Sequence, residues 1–341
     1  VLANSFNTVL YTGNGGTQAV TGLGFQPDLV WVKGRSTSNQ DHTIVDSVRG
    51  ISKRIRPSYT SAEALESGFN VTAFNSDGFT LVDNTAGAYN VNGAVGGLYS
   101  GAAQYVAWCW KASNDSTINQ DGSITSIVSA NPAAGFSIVS YTANGADNST
   151  IGHGLGVEPK FIITKRRDSS ASGGNWYCYH SSIGTSLTLV LNATNSQIST
   201  VNSYKSIGVN TYTIGTNGDM NTNTGTFIAY CFAEVAGFSK FGSYSGTDAS
   251  GNYVPTGFEP AFVLIKRSIG GAGNWILKDN KRNPTNPVTN NLYANLSNEA
   301  NDVTTLSIDF NPLGFTVNGT SGDVNDAGTN NYIYMAFANQ F

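Results

Sequence analysis

Three histidines offer acid–base or nucleophilic chemistry near neutral pH in this 341-residue chain. His42 lies in the polar stretch NQDHTIV, His153 lies in IGHGLG, and His180 follows NWYCY. Nucleophilic catalysis needs a base beside the nucleophile, and no GxSxG elbow or other partner motif accompanies them. We interpret all three as ordinary loop or strand-edge histidines.

Paired carboxylates are a second possible source of catalysis, since glycoside hydrolysis needs two acids at a defined separation. Glu158 and Glu259 each precede the proline of a repeated segment, where the first copy has Gln26. An acid that is exchangeable with glutamine inside one chain is better explained as an ordinary surface or turn residue. The sequence therefore predicts no catalytic residue and a protein that is not an enzyme.

Thiols and turn carboxylates are the remaining candidates for metal or redox chemistry. Cys109, Cys178 and Cys231 cannot complete a disulfide framework. Cys109 and Cys231 occupy matching strand positions where a third segment has Ala336, which is typical of a small packing position. No CxxC or HxxxH spacing indicates zinc, and the acidic turn GDVNDAG departs from the EF-hand pattern for calcium. We expect neither a metal nor a cofactor.

Tryptophans in matching contexts are the candidate ligand-binding residues. Trp176 and Trp275 both follow Gly-Asn, and exposed aromatic rings form platforms for sugars. The alternative is that an internally repeated tryptophan belongs to the core. Trp108 and Trp110 are two residues apart on an apolar strand, so both side chains must lie on the same face of it.

A twelve-residue segment occurs three times, as GFQPDLVWVKGR from Gly24, GVEPKFIITKRR from Gly156 and GFEPAFVLIKRS from Gly257. Gly, Pro and Lys keep their places, and the residues between Pro and Lys are mostly apolar. A short apolar run that begins after Pro predicts a strand buried on both faces. We interpret the basic residues at its end as groups that keep an exposed strand end soluble, although an anion or partner contact is the alternative.

The repeats divide the chain into three predicted β-sandwich domains, residues 1–114, 134–236 and 237–341, with a polar connector at 115–133. Each copy of the segment is preceded by a Phe/Tyr strand and followed by a closing strand: YVAWCWKA, FIAYCFAE or YIYMAFAN. FNSDGFTLV and NPLGFTVNG predict hairpins, and SAEALESG (Ser61–Gly68) predicts a short helix with a Ser cap and a Gly stop. The predicted fold is all-β, with three tandem jelly-roll-like sandwiches.

Composition excludes several classes of protein. Only 12% of residues are charged, the net charge is −4, and the sequence pI is about 5.3. Such a chain has no basic footprint for nucleic acid, and no apolar run of the length that spans a membrane. Nothing in the sequence distinguishes a linear rod of three units from a pseudo-threefold body.

The repeated strings resemble a domain of virion structural, tail-fibre-like proteins of marine and cyanobacterial tailed bacteriophages. The similarity covers nearly the whole chain and is most specific in VAWCWKA and AEVAGFSKFGSYSG. It implies a place on the virion surface, with other capsid or tail proteins as partners and a homo-oligomer, such as a trimer, as the assembly. It supplies no catalytic motif.

Three functions remain open from the sequence. The first is a non-enzymatic virion protein, as a tail fibre, head fibre or capsid decoration with a role in particle architecture and host attachment. The second is a carbohydrate-binding receptor module that contacts host surface glycans through Trp176, Trp275 or loop aromatics. The third is a secreted bacterial adhesin. Scarce glutamate and unpaired histidines argue against a depolymerase.

Overall fold

The computed structural model describes residues 4–36, 39–83, 91–93, 103–168 and 174–338, and it confirms the all-β prediction. Antiparallel sheets are packed in two layers, and within these ranges helix is confined to α1 (Gly218–Asn221) and a 3₁₀ turn (Thr304–Leu306). No helix of the described residues is long and apolar enough to cross a membrane. The strands fall into three groups, which we call the first unit (4–112), the second unit (113–236) and the third unit (237–338).

The described residues of the first unit form nine strands in a larger sheet, a smaller sheet and a short hairpin. They are β1 (Phe6–Thr12), β2 (Thr17–Thr21), β3 (Leu29–Gly34), β4 (Thr43–Asp46), β5 (Lys53–Arg54), β6 (Ala64–Leu65), β7 (Phe69–Asn75), β8 (Gly78–Asp83) and β9 (Gln104–Trp110). The larger sheet has the order β1-β9-β3-β4, and the smaller sheet has the order β2-β8-β7. β5 pairs with β6.

Eleven strands lie in the part of the second unit that the structure describes. They are β10 (Thr117–Asn119), β11 (Ser126–Asn131), β12 (Phe136–Thr142), β13 (Ser149–Gly152), β14 (Phe161–Arg166), β15 (Trp176–His180), β16 (Leu187–Val190), β17 (Ile198–Ser199), β18 (Tyr204–Ile207), β19 (Thr211–Ile214) and β20 (Thr226–Phe232). The larger sheet has the order β10-β11-β12-β20-β14-β15-β16-β17, and the smaller sheet has the order β13-β19-β18.

The third unit contains nine strands. They are β21 (Ser239–Ser245), β22 (Asn252–Pro255), β23 (Pro260–Ile269), β24 (Trp275–Asp279), β25 (Asn290–Tyr293), β26 (Asn301–Asp302), β27 (Ile308–Asn311), β28 (Gly314–Val317) and β29 (Asn331–Ala338). The larger sheet has the order β21-β29-β23-β24-β25-β26, and the smaller sheet has the order β22-β28-β27. In every larger sheet the Phe/Tyr strand, the closing strand, the strand of the repeated segment and the strand that follows it therefore lie side by side in the same order. They are β1-β9-β3-β4, β12-β20-β14-β15 and β21-β29-β23-β24.

The repeated segment begins the central strands β3, β14 and β23, which are buried along nearly their whole length. Gly24, Gly156 and Gly257 have φ values of 81°, 69° and 87°, a left-handed conformation that glycine adopts without steric cost. The Gly and Pro of the motif therefore set the sharp start of a buried strand, as the sequence predicts.

The closing strands β9, β20 and β29 divide their side chains between two kinds of core. On β9, Tyr105, Ala107 and Cys109 face the sandwich interior of the first unit, whereas Trp108 and Trp110 face a cluster to which all three units contribute. The prediction that Trp108 and Trp110 share a face is confirmed. Cys109, Cys231 and Ala336 lie buried in the three separate sandwich interiors, as expected of a small packing position.

Two local predictions differ from the structure. Ser61–Gly68 forms no helix, because the backbone N–H of Glu63 donates to Arg167 O in the second unit and that of Glu66 donates to Ser52 O. Tertiary pairing therefore overrides the local cap and stop signals. Residues 115–133 contain β10 and β11. β11 pairs with β12 and β10 pairs with β11, so both strands extend the larger sheet of the second unit instead of linking two domains.

Candidate functional site

Side chains from all three larger sheets meet in one hydrophobic cluster, which we call the junction core. Its centre is a triangle of aromatic rings, with centroid separations of 6.1 Å for Trp110–Phe232, 6.1 Å for Phe232–Phe337 and 5.8 Å for Trp110–Phe337. These three residues hold matching places in the closing strands, opposite Leu29, Phe161 and Phe262 of the central strands. The near-equal sides define a pseudo-threefold axis through the triangle.

The next layer along the axis joins the units by side-chain hydrogen bonds. Trp108 Nε1 of the first unit donates to Asp279 Oδ2 of the third over 3.1 Å. Tyr230 OH of the second unit donates to Asp46 Oδ2 of the first over 2.7 Å. At the third junction, Met335 stands where the others have Trp or Tyr, and the acidic residue is replaced by His180.

His180 keeps this third junction hydrogen-bonded despite the replacement. Its Nε2–H donates to Tyr334 O of the third unit over 3.1 Å, since its Nδ1 accepts from Ser182 N. The acids at the other two junctions are each paired with a buried arginine three residues on, Asp46 with Arg49 and Asp279 with Arg282. Ile183 holds the arginine position after His180, so acid and arginine are replaced together and no buried charge is left unpaired.

The repeated lysines also join the units. Lys33, Lys165 and Lys266 are completely buried, so the interpretation that they keep an exposed strand end soluble is wrong. Each ammonium donates to one carbonyl of its own unit and one of a neighbouring unit. The neighbouring acceptors are Ser297 O at 3.2 Å, Thr60 O at 3.1 Å and Thr194 O at 2.9 Å.

Trp176 and Trp275, the candidate ligand-binding residues, lie at the same interfaces. Trp176 Nε1 donates to Arg56 O and Tyr59 O, both at 3.1 Å, and Trp275 Nε1 donates to Val190 O over 3.0 Å. Both indoles are fully buried. Neither ring therefore has a face open to a sugar, and their repeated context reflects the repeated contact between units.

His42 takes the corresponding place in the first unit, next to Lys33 as Trp176 is next to Lys165. Its Nδ1 accepts from Trp31 Nε1 over 2.8 Å, so its Nε2–H donates to Tyr293 O of the third unit over 2.8 Å. The three contacts run from the first unit to the third, from the third to the second, and from the second to the first. This heterologous interface closes on itself within one chain.

Main-chain hydrogen bonds close the same ring. The N–H groups of Glu63, Gln197 and Ala300 donate to Arg167 O, Ser268 O and Arg35 O, over 2.8, 2.9 and 3.1 Å. Each bond joins two different units, and donation runs around the ring in the direction opposite to that of the lysine contacts. The salt bridge between Arg167 and Glu63, with Nε and Oε2 3.0 Å apart, reinforces one of them.

The histidines have no free ring nitrogen for acid–base chemistry in this structure. Burial lowers the pKa of His42 to about 3 and that of His180 to about 4. His153 lies outside the junction core, where its Nε2–H donates to Gly208 O and its Nδ1 accepts from Leu155 N. Burial lowers its pKa as well. All three are neutral at pH 7, with both ring nitrogens occupied by hydrogen bonds within the chain.

The other candidates for chemistry are separate from one another. Burial raises the pKa of the Cys178 and Cys231 thiols well above the usual value, which makes both inert toward oxidants and metals. Glu158 is about half exposed, with Oε2 3.7 Å from Lys160 Nζ. No group of three or more His, Cys, Asp or Glu side chains that could hold a metal occurs within the described ranges.

Among the described residues, the second and third units each carry a surface depression. One, of about 410 Å³, lies on the third unit and is lined by Asn286, Pro287, Thr289, Thr304, Ser307, Asp309 and Asn318. The other, of about 310 Å³, lies on the second unit and is lined by Val157, Glu158, Lys160, Val209, Ala233 and Glu234. Neither depression is lined by Trp176 or Trp275, the candidate ligand-binding residues.

The fold and junction define an all-β protein in which three sandwich units are closed around one shared core. The family model described as "Domain of unknown function (DUF7483)" matches residues 3–340, and the chain belongs to this family. No curated protein and no solved structure matches the chain.

The lowered pKa values of the buried lysines predict how the free energy of unfolding depends on pH. Burial lowers the pKa of Lys33 to about 7, and those of Lys165 and Lys266 to about 8. Their pKa in the unfolded chain is near 10.5, so between about pH 7 and 10 the unfolded chain binds more protons. We expect the free energy of unfolding to rise from pH 7 to pH 9, and the contribution of these lysines to level off below about pH 7, where both states are protonated.

Urea unfolding at pH 7 and pH 9 measures this difference. Replacement of all three lysines by methionine should reduce the rise, whereas Lys281→Met, at an exposed position, should leave it unchanged. Part of the rise should remain in the triple variant, because burial also lowers the pKa of Lys278, to about 6. The three buried cysteine thiols, whose pKa values burial raises, oppose the effect above about pH 8.5 in wild type and variants alike, and tyrosine ionisation opposes it above about pH 10. A triple variant with the full wild-type rise would show that these lysines are not buried as amines.

Proposed function

We propose that the chain is a non-enzymatic structural protein of a bacteriophage virion, placed on the particle surface as a tail fibre, head fibre or capsid decoration. The observation that carries the proposal is the closed ring, in which two of the candidate histidines, the three repeated lysines and the two candidate tryptophans donate to main-chain oxygens of neighbouring units. A body held in this way is rigid and presents related surfaces about one axis.

The pseudo-threefold axis supports a specific kind of placement. A single chain with three similar units matches a threefold position on a particle, where three identical neighbours surround one axis. One chain then provides what a trimer of a single-unit protein would provide. The low charge and the resemblance of VAWCWKA and AEVAGFSKFGSYSG to virion proteins favour the same role.

Particles of the phage that encodes the chain provide the test. We expect the chain in particles purified through a density gradient, and we expect recombinant chain to bind particles from a mutant that lacks it. Cryo-electron microscopy should then show its density on the particle surface at a threefold or pseudo-threefold position. Absence from purified particles together with no binding to the deficient particles would contradict the proposal.

A further inference from the structure

The second unit departs from the other two at the start of its repeated segment. Phe25 of the first unit and Phe258 of the third follow the motif glycine and are 3% and 7% exposed. The second unit has Val157 at this place, and it is 47% exposed. The interior of two units is therefore covered by a phenyl ring that the second unit lacks.

An open depression lies at the place of the missing ring. It has a volume of about 310 Å³, and Val157, Val209 and Ala233 form its apolar part. Val209 lies at the tip of the hairpin between β18 and β19 and is 55% exposed. Ala233 is buried and belongs to the sandwich core of the second unit, so the depression reaches down to that core.

A compensating replacement keeps the interior of the second unit filled. Tyr179 on β15 occupies the place that Val45 occupies on β4. Each is the second-last residue of its strand, and they pair with Ile162 and Val30 at matching positions of the central strands. Both side chains are buried. The missing phenyl ring therefore leaves a depression at the surface instead of a void in the core.

Charged groups surround the apolar floor. Glu158 contacts Lys160, and Glu234 contacts Lys240 with Nζ and Oε1 2.7 Å apart. An apolar floor within a polar rim is the arrangement of a protein–protein anchor site, where one aromatic side chain enters a pocket and the rim excludes water.

We propose that this depression is a docking site for a phenylalanine side chain of another protein. The identity of the occupant follows from the chain itself, because Phe25 and Phe258 fill the equivalent places in the other two units. The site takes the incoming ring where Val157 leaves room for it. This inference concerns a surface outside the junction core and stands independently of a place on a virion.

Titration with N-acetyl-phenylalaninamide tests the proposal in the full chain. With valine methyl groups labelled for NMR, we expect saturable shifts at Val157 and Val209. The methyl groups of Val201, which is 63% exposed elsewhere, are the internal control and should not move. N-acetyl-alaninamide, which has no ring, should shift none of them.

Two variants make the test decisive. Val157→Phe copies the first and third units, so its own ring should fill the depression and abolish the shift at Val209. Val209→Asp replaces an exposed side chain, should leave the fold intact, and should weaken the response at least tenfold. Equal responses in wild type and Val157→Phe, no saturable response at Val157 and Val209, or equal responses to the two probes would overturn the proposal.

Discussion

A fragment that contains only the third unit, residues 237–341, is expected not to fold as a stable monomer. Within the full chain its larger sheet packs one face against the other two units, through side chains such as Phe262, Leu264, Met335 and Phe337. Burial of a large apolar side chain contributes about 2 kcal/mol. The third unit buries at least eight such side chains at the junction. Their exposure in the fragment would therefore cost more than the free energy of unfolding of a typical domain, which is about 5–15 kcal/mol, or about 0.1 kcal/mol per residue.

Circular dichroism and urea unfolding of the fragment, compared with the full chain, measure this dependence. The fragment should lack a cooperative transition, whereas an equimolar mixture of residues 1–236 and 237–341 should regain one, because the two pieces can rebuild the junction core. Cooperative unfolding of the isolated third unit at the midpoint of the full chain would show that the units are independent domains.

Replacement of Asp279 by alanine is expected to lower the free energy of unfolding by about 3–5 kcal/mol, as for other broken buried ion pairs. The carboxylate accepts from Arg282 Nε over 2.6 Å and from Trp108 Nε1 over 3.1 Å, and it also accepts from two backbone N–H groups. The side chains of Asp279 and Arg282 are 0% and 1% exposed. The variant therefore leaves a buried guanidinium without its counter-charge.

The second unit provides the matched control, since it has His180 and Ile183 where the third unit has Asp279 and Arg282. Asp279→Ala combined with Arg282→Ile removes both charges and should be at least about 1 kcal/mol more stable than Asp279→Ala alone. Asp115→Ala, at an exposed bend with ordinary backbone geometry, should change the stability by less than about 0.5 kcal/mol. A double variant no more stable than the single one would show that the charge pair is not what this junction depends on.

The strands of the fold could be predicted because their signals are local. The Gly and Pro of the repeated segment mark where β3, β14 and β23 begin, and the predicted hairpin FNSDGFTLV is formed by β7 and β8. Strand alternation was sufficient to place Trp108 and Trp110 on one face. The helix expected at Ser61–Gly68 fails for the opposite reason, because Glu63 pairs with Arg167, more than a hundred residues away.

The junction could not be predicted because its contacts join residues far apart in sequence. Nothing local indicates that His42 replaces Trp176 or Trp275, since the three share neither residue type nor motif. One signal was available: lysine was invariant in all three copies of the segment, whereas the adjacent apolar residues varied. A lysine that is constant at the end of a buried strand is better explained by a repeated interaction than by solubility.

Distances between the three units test the closed arrangement most directly. Thr80, Thr213 and Thr316 are the third residues of β8, β19 and β28, and all are half-buried on the smaller sheets. Spin labels on cysteines at two of these sites at a time give three interunit distances by pulsed electron paramagnetic resonance. The buried native cysteines are unreactive in the folded chain.

A body closed around a pseudo-threefold axis predicts three similar distances. A linear array, in which each unit contacts only its neighbours, would instead give a Thr80–Thr316 distance roughly twice the other two. Three comparable distances would support the shared junction core, and one distance about double the others would contradict it.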